Sequence, residues 1–123
     1  MIPKFRAWDK TDKKMYLVDE INFNRGEFES IGVGITFLRG ADEVELMQST
    51  GLFDKNGQEI FDGDILGTKD GLLDGVVEYR TDLGMWTNDL LRYSNFERLG
   101  CMANSRKIIG NIYENPELLE VTE

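Results

Sequence analysis

Apolar and polar positions alternate at period two in short runs, the rhythm of half-buried β-strands rather than of helices. Over Lys4 to Trp8, Phe5 and Ala7 alternate with Lys4, Arg6 and Trp8, and Asp9-Lys10-Thr11-Asp12-Lys13 follows with turn chemistry before Lys14 to Val18. This pattern predicts a hairpin. With Phe5 and Ala7 set across from Met15 and Leu17, its other face displays Lys4, Arg6, Trp8, Lys14 and Tyr16 as a small basic and aromatic patch. Asn24-Arg25-Gly26 reads as a turn. Ile31, Val33, Ile35 and Phe37 then repeat at period two with Gly32, Gly34 and Thr36 between them, which predicts one strand with a greasy face. Residues 43–49 set Val44 and Leu46 against Glu43, Glu45 and Met47, another half-buried strand.

Asn56-Gly57 lies between the apolar pairs Leu52-Phe53 and Ile60-Phe61, as a type I′ hairpin turn requires. Strands are expected at Val76–Arg80 and Leu83–Trp86, and a last buried one at Ile108–Tyr113. From Leu90 to Leu99 helix and strand both remain open, since Leu90, Tyr93 and Phe96 have helical spacing while Ser94 and Asn95 are poor helix formers. Asn115-Pro116-Glu117 supplies an N-cap, a proline at the first helical position and an early acid, which predicts a short C-terminal helix. The fold class is therefore mainly antiparallel β with one short closing helix.

Composition narrows the function classes. A chain of 123 residues, 41% apolar and 30% charged with two prolines, fits one globular domain over residues 1–123. Its net charge of −9 repels phosphate backbones and anionic lipid, so duplex DNA and membranes are disfavoured partners. Residues 1–50 carry seven bases and nine acids, whereas residues 51–123 carry seven and fourteen. Histidine is absent, which removes the usual neutral-pH base and the commonest zinc ligand. Cys101 has no second cysteine to pair with, and neither an apolar signal segment at Met1–Arg6 nor an apolar run of about 18 residues is present. A cytoplasmic protein is expected.

Three constellations bear on chemistry. Asp62, Asp64 and Gly67 fit positions of a calcium loop, but Leu66 and Leu73 occupy ligand positions, so these acids read as turn carboxylates. Asp64 with Glu78-Tyr79-Arg80 resembles a nuclease carboxylate set, yet arginine cannot move a proton at neutral pH. Cys101, between Gly100 and Met102, reads as a small core residue. No catalytic residue, metal site or cofactor is assigned, and Lys4, Arg6, Trp8, Lys14 and Tyr16 are the candidate interaction residues.

Three blocks together resemble the YopX family of small proteins found largely in bacteriophages and prophages. They are Lys4-Phe5-Arg6-Ala7-Trp8-Asp9 with Lys14-Met15; Met47 to Leu52 with Asp54 to Phe61 and Gly63-Asp64-Ile65; and Ile109 to Leu119. The resemblance implies an N-terminal β region over 1–49 leading into an SH3-like small barrel over 50–123. It implies no reaction and no catalytic residues. The expected function is that of a non-enzymatic phage or prophage accessory protein acting by self-association or contact with a host or phage protein in the host cytoplasm. The alternative is a nucleic-acid-directed role, through the basic and aromatic hairpin or by acidic mimicry of DNA.

Overall fold

Most of the period-two runs contain strands, and the computed structural model describes residues 4–33 and 37–120. Two compact units divide the chain, Met1–Gln48 and Ser49–Glu123. The first contains β1 (Phe5–Asp9), β2 (Lys14–Leu17), β3 (Glu20–Asn24), β4 (Glu27–Val33), β5 (Phe37–Gly40) and a 3-10 turn at Ala41–Glu43. The strand β6 (Val44–Phe53) begins in this unit and continues into the second. In the first unit β1 lies between β2 and β6, and β3, β4 and β5 form a separate meander.

The hairpin expected at the N-terminus is present as β1–β2, but its register differs from the expectation by one residue. Ala7 stands opposite Tyr16 and Trp8 opposite Met15. A one-residue slip moves every side chain of a strand to the other face. The cause is the turn: Asp9 is buried, and its Oδ1 accepts the amides of Thr11 and Asp12 at 2.9 and 3.0 Å. The Lys13 amide donates to the Asp9 carbonyl at 2.8 Å, with Lys13 in the left-handed region. That closed turn sets Asp9 opposite Lys14. Arg39 Nε on β5 donates to Asp9 Oδ2 at 2.8 Å, so the buried carboxylate is both hydrogen-bonded and ion-paired.

The run Ile31 to Phe37 is not one strand. Val33 ends β4 and Phe37 opens β5, the two paired opposite each other; Gly34, Ile35 and Thr36 lie outside the described residues. The turn at Arg25-Gly26 has positive φ at both residues, the two-residue type I′ geometry, and joins β4 to β3, a strand that the sequence pattern did not single out. Ala7, Ile31 and Val44 form the core of this unit, with Val18, Ile21, Phe28 and Leu46 packed against it.

The second unit contains β7 (Glu59–Phe61), β8 (Asp64–Gly67), β9 (Gly75–Arg80), β10 (Met85–Leu90), β11 (Phe96–Arg98), a helical turn α1 (Leu99–Met102), a 3-10 turn at Ala103–Ser105 and β12 (Lys107–Asn111). Its five-stranded antiparallel sheet has the order β11-β10-β9-β8-β12, and β7 pairs with the second half of β6. The segment left open at 90–99 divides into the end of β10, a bend, β11 and the start of α1. Ile60, Leu66, Val77, Leu99, Met102 and Ala103 make the core. Full burial of each large aliphatic side chain contributes roughly 1.5–3 kcal/mol.

The loop at Asn56-Gly57 differs from a type I′ turn, because only Gly57 has positive φ there. Asp54 N donates to the Gln58 carbonyl and Gly57 N to the Asp54 carbonyl, at 2.8 and 3.0 Å. This is a three-residue loop that ends on a left-handed glycine. The Asp54 carboxylate selects it by accepting the amides of Asn56 and Gln58 at 2.9 and 2.8 Å, and its other oxygen takes the Ile108 amide of β12 at 3.0 Å. The closing helix is a single 3-10 turn at Pro116–Leu119. Asn115 does not cap it; instead its Oδ1 accepts the Asn111 amide at 3.2 Å.

Candidate functional site

Carboxylates account for much of the sequence's patterned chemistry, and the structure uses Asp9, Asp54 and Asp64 as turn formers. Asp64 is buried and its Oδ2 accepts the Phe61 amide at 2.8 Å, which fixes the Asp62-Gly63 turn between β7 and β8. Asp9 and Asp54 do the same at their own turns. Burial pushes the Asp54 carboxyl up, but amide donation from Ile108, Gln58 and Asn56 and the nearby Lys107 charge outweigh it, so the group is held below the usual carboxylate range. Asp9 is also lowered, burial being outweighed by the Asp12 and Thr11 amides and by Arg39. Asn111 completes the set, its Oδ1 accepting the amides of Tyr113 and Glu114 at 3.1 and 2.9 Å.

One pair of acids stands apart. On β9 and β10, Thr87 faces Glu78 and Asp89 faces Val76, which brings the side chains of Glu78 and Asp89 together diagonally on one sheet face. The hydrogen bond to Asp89, then desolvation and the Asp89 charge, push Glu78 up to about 7, against the opposing pull of Arg80. Thr87 Oγ1 donates to Asp89 Oδ1 at 2.8 Å. Near neutrality Glu78 can therefore carry a proton beside the Asp89 side chain. Arg80 lies 5.3 Å from the Phe96 ring centre and also pairs with Asp82. Asp64, which the nuclease-like constellation grouped with Glu78, is committed to its own turn.

The candidate interaction residues divide between two faces of the β1–β2 ribbon. Arg6 and Trp8 share a face with Met15 and Leu17, whereas Lys14 and Tyr16 share the opposite face with Asp9 and Ala7. Lys4 precedes β1 and is exposed. The continuous basic and aromatic platform expected from the alternation is therefore not formed, and with it goes the geometric basis for stacking bases on this hairpin.

The same unit carries features that the sequence pattern missed. The strand β2 is at the outer edge of its sheet, and Leu17 on it is 66% exposed. Beside it a cavity of about 650 Å³ is lined by Phe5, Val18, Ile21 and Phe23, with Lys4, Asp19 and Glu20. Phe23 is 62% exposed and meets Phe28 edge to face. Exposed aromatic and aliphatic side chains grouped around a concavity are a feature of contact surfaces. The signal in the sequence was Val18 to Phe23, where Val18, Ile21 and Phe23 are apolar but Asp19-Glu20 breaks the period.

Cys101 also departs from expectation. It is exposed, because α1 turns Leu99 and Met102 into the core and leaves Cys101 outside. Among the described residues no group of three or more His, Cys, Asp or Glu side chains is arranged to hold a metal, and no helix is long and apolar enough to cross a membrane.

The family model described as YopX protein matches residues 4–120. The chain is similar to protein EF1440 from Enterococcus faecalis, whose crystal structure superposes with a TM-score of 0.65 at 31% identity, covering 98% of this chain and 99% of that one. The crystal structure of protein yopX from Bacillus subtilis superposes with a TM-score of 0.60 at 22% identity, covering 98% of each chain. No curated protein matches.

Proposed function

The chain belongs to the YopX family, and from that premise we propose that it is a non-enzymatic phage or prophage accessory protein that works by protein–protein contact in the host cytoplasm. The observation that carries the reading is the open edge of β2 beside the apolar cavity, with Leu17 and Phe23 more than half exposed. An edge strand presents unpaired backbone groups that another chain can extend, and an adjoining concavity accepts that chain's side chains. A sequence without histidine, and polar motif residues spent on turns, also support a role in binding over a role in chemistry.

Affinity capture from bacterial lysate, read by mass spectrometry, tests this with the intact protein, the Phe23→Asp variant and a Leu72→Asp control. Leu72 is an exposed residue of the second unit. A discrete protein captured by the parent and the control but lost with Phe23→Asp is the expected result. The same set of proteins in all three would overturn it.

A further inference from the structure

The geometry points to a second copy of this chain at the β2 edge, paired antiparallel about Tyr16. The inference rests on the contact-surface reading above and names its partner. Backbone direction comes first. The Val18 amide donates to the Phe5 carbonyl at 3.0 Å, and Tyr16 and Lys14 face Ala7 and Asp9 in the same register. Hydrogen-bonding direction alternates along an antiparallel strand, so the N–H and C=O of Val18, Tyr16 and Lys14 point at β1, and those of Met15 and Leu17 point to the open edge.

Two-fold antiparallel pairing must match outward groups with outward groups, which leaves three centres: Met15, Tyr16 or Leu17. Centring on Leu17 needs the Asp19 amide, which already donates to the Gly32 carbonyl at 3.0 Å. Centring on Met15 needs the Lys13 amide, which donates to the Asp9 carbonyl with Lys13 in the left-handed region. Among the described residues, the Tyr16 centre is the one that calls on the outward backbone groups of Met15 and Leu17 and on neither the Lys13 nor the Asp19 amide. It sets Met15 against the partner's Leu17, and Tyr16 against the partner's Tyr16.

Charge selects the same arrangement. The segment Lys13-Lys14-Met15-Tyr16-Leu17-Val18-Asp19-Glu20 has two cations, four apolar or aromatic residues and two acids. Antiparallel pairing about Tyr16 brings the Lys13-Lys14 end of one strand toward the Asp19-Glu20 end of its partner, whereas parallel pairing would set lysines beside lysines and acids beside acids. Opposite charges across strands favour the pair and like charges oppose it. The exposed Leu17 side chain is then covered by the partner's Met15.

Analytical ultracentrifugation of the intact protein up to the millimolar range, together with disulfide trapping in a Cys101→Ser background, tests the pairing. Tyr16 against the partner's Tyr16 is a non-hydrogen-bonded pair with Cα atoms about 4.5 Å apart, within disulfide reach. Met15 and the partner's Met15 are diagonal at about 7–8 Å. A dimer is expected, with Tyr16→Cys cross-linking readily and Met15→Cys failing to do so. Leu17→Pro removes only an outward amide and should give a monomer that keeps its near-ultraviolet circular dichroism. If that variant loses its fold, the cysteine pattern decides alone. A monomer at every concentration, a folded Leu17→Pro dimer, or equal cross-linking by both cysteine variants would overturn the pairing. A monomer that still captures a protein through Phe23 defeats the self-pairing only; a trapped dimer without Phe23-dependent capture defeats the hetero-contact only.

Discussion

Replacing Asp54 by alanine should destabilise the second unit by about 3 kcal/mol. The side chain serves three backbone donors, those of Asn56, Gln58 and Ile108, at 2.8 to 3.0 Å. The first two lie on exposed loop residues where water replaces a lost acceptor, so each contributes roughly 0.5–1 kcal/mol. The Ile108 amide belongs to β12 beside the core, and leaving it unsatisfied costs about 1–3 kcal/mol. Asp54→Asn keeps one acceptor oxygen, so a loss of about 1–2 kcal/mol is expected for it. Urea unfolding followed by Trp86 fluorescence in a Trp8→Phe background reads this directly, because Trp86 packs against the core of that unit. With an m-value of about 1–3 kcal/mol per molar, the Asp54→Ala midpoint should fall by at least about 1 M. The folded carboxyl is held below its unfolded value, so its contribution is present above the unfolded pKa and lost as pH falls through the folded one. The gap between the parent and Asp54→Asn should therefore narrow in acid. An Asp54→Ala midpoint within error of the parent would refute the reasoning that this carboxylate holds the loop to β12.

Gly57→Val should cost on the order of 1–2 kcal/mol, because Gly57 has φ of +80° although nothing lies within 4 Å of an added Cβ; unchanged thermal stability would contradict this. Glu78 is raised from 4.5 to about 7, so its stabilising contribution is full below about pH 4.5 and lost as pH rises through about 7. Glu78→Gln should consequently match the parent near pH 4 and exceed it near pH 8, by no more than about 1 kcal/mol once exposure is discounted. Thermal melts at the two pH values showing the same gap would refute the raised Glu78 carboxyl. Gel-shift assays at ~150 mM salt should show no retained duplex DNA, given the net charge of −9 and a basic set split across two faces.

Alternation in the sequence carried the strands well and their registers poorly. Phe5 and Ala7 alternate against Trp8 and Arg6, yet apolar residues stand on both sides of this ribbon, so either register buries some of them. The four residues Lys10 to Lys13 decide the outcome through the Asp9 carboxylate, an interaction invisible to periodicity. Asn-Gly signalled a turn at residues 56–57, but Asp54 selected its geometry. Long-range pairings were the least legible: β3 depends on β4, and the Glu78–Asp89 pair depends on the cross-strand alignment set by the turn between β9 and β10. The apolar cavity was hidden for the same reason, since Phe5 and Phe23 approach it from different hairpins.

Site-specific photo-cross-linking in living bacteria tests the contact-surface claim most directly. A photoreactive residue is placed at Leu17 on the open edge, or at Leu72 on the second unit, both exposed in the free chain. Discrete cross-linked protein bands from position 17, and only background from position 72, are the predicted result. Bare background from position 17, or equal banding from both positions, would contradict the account.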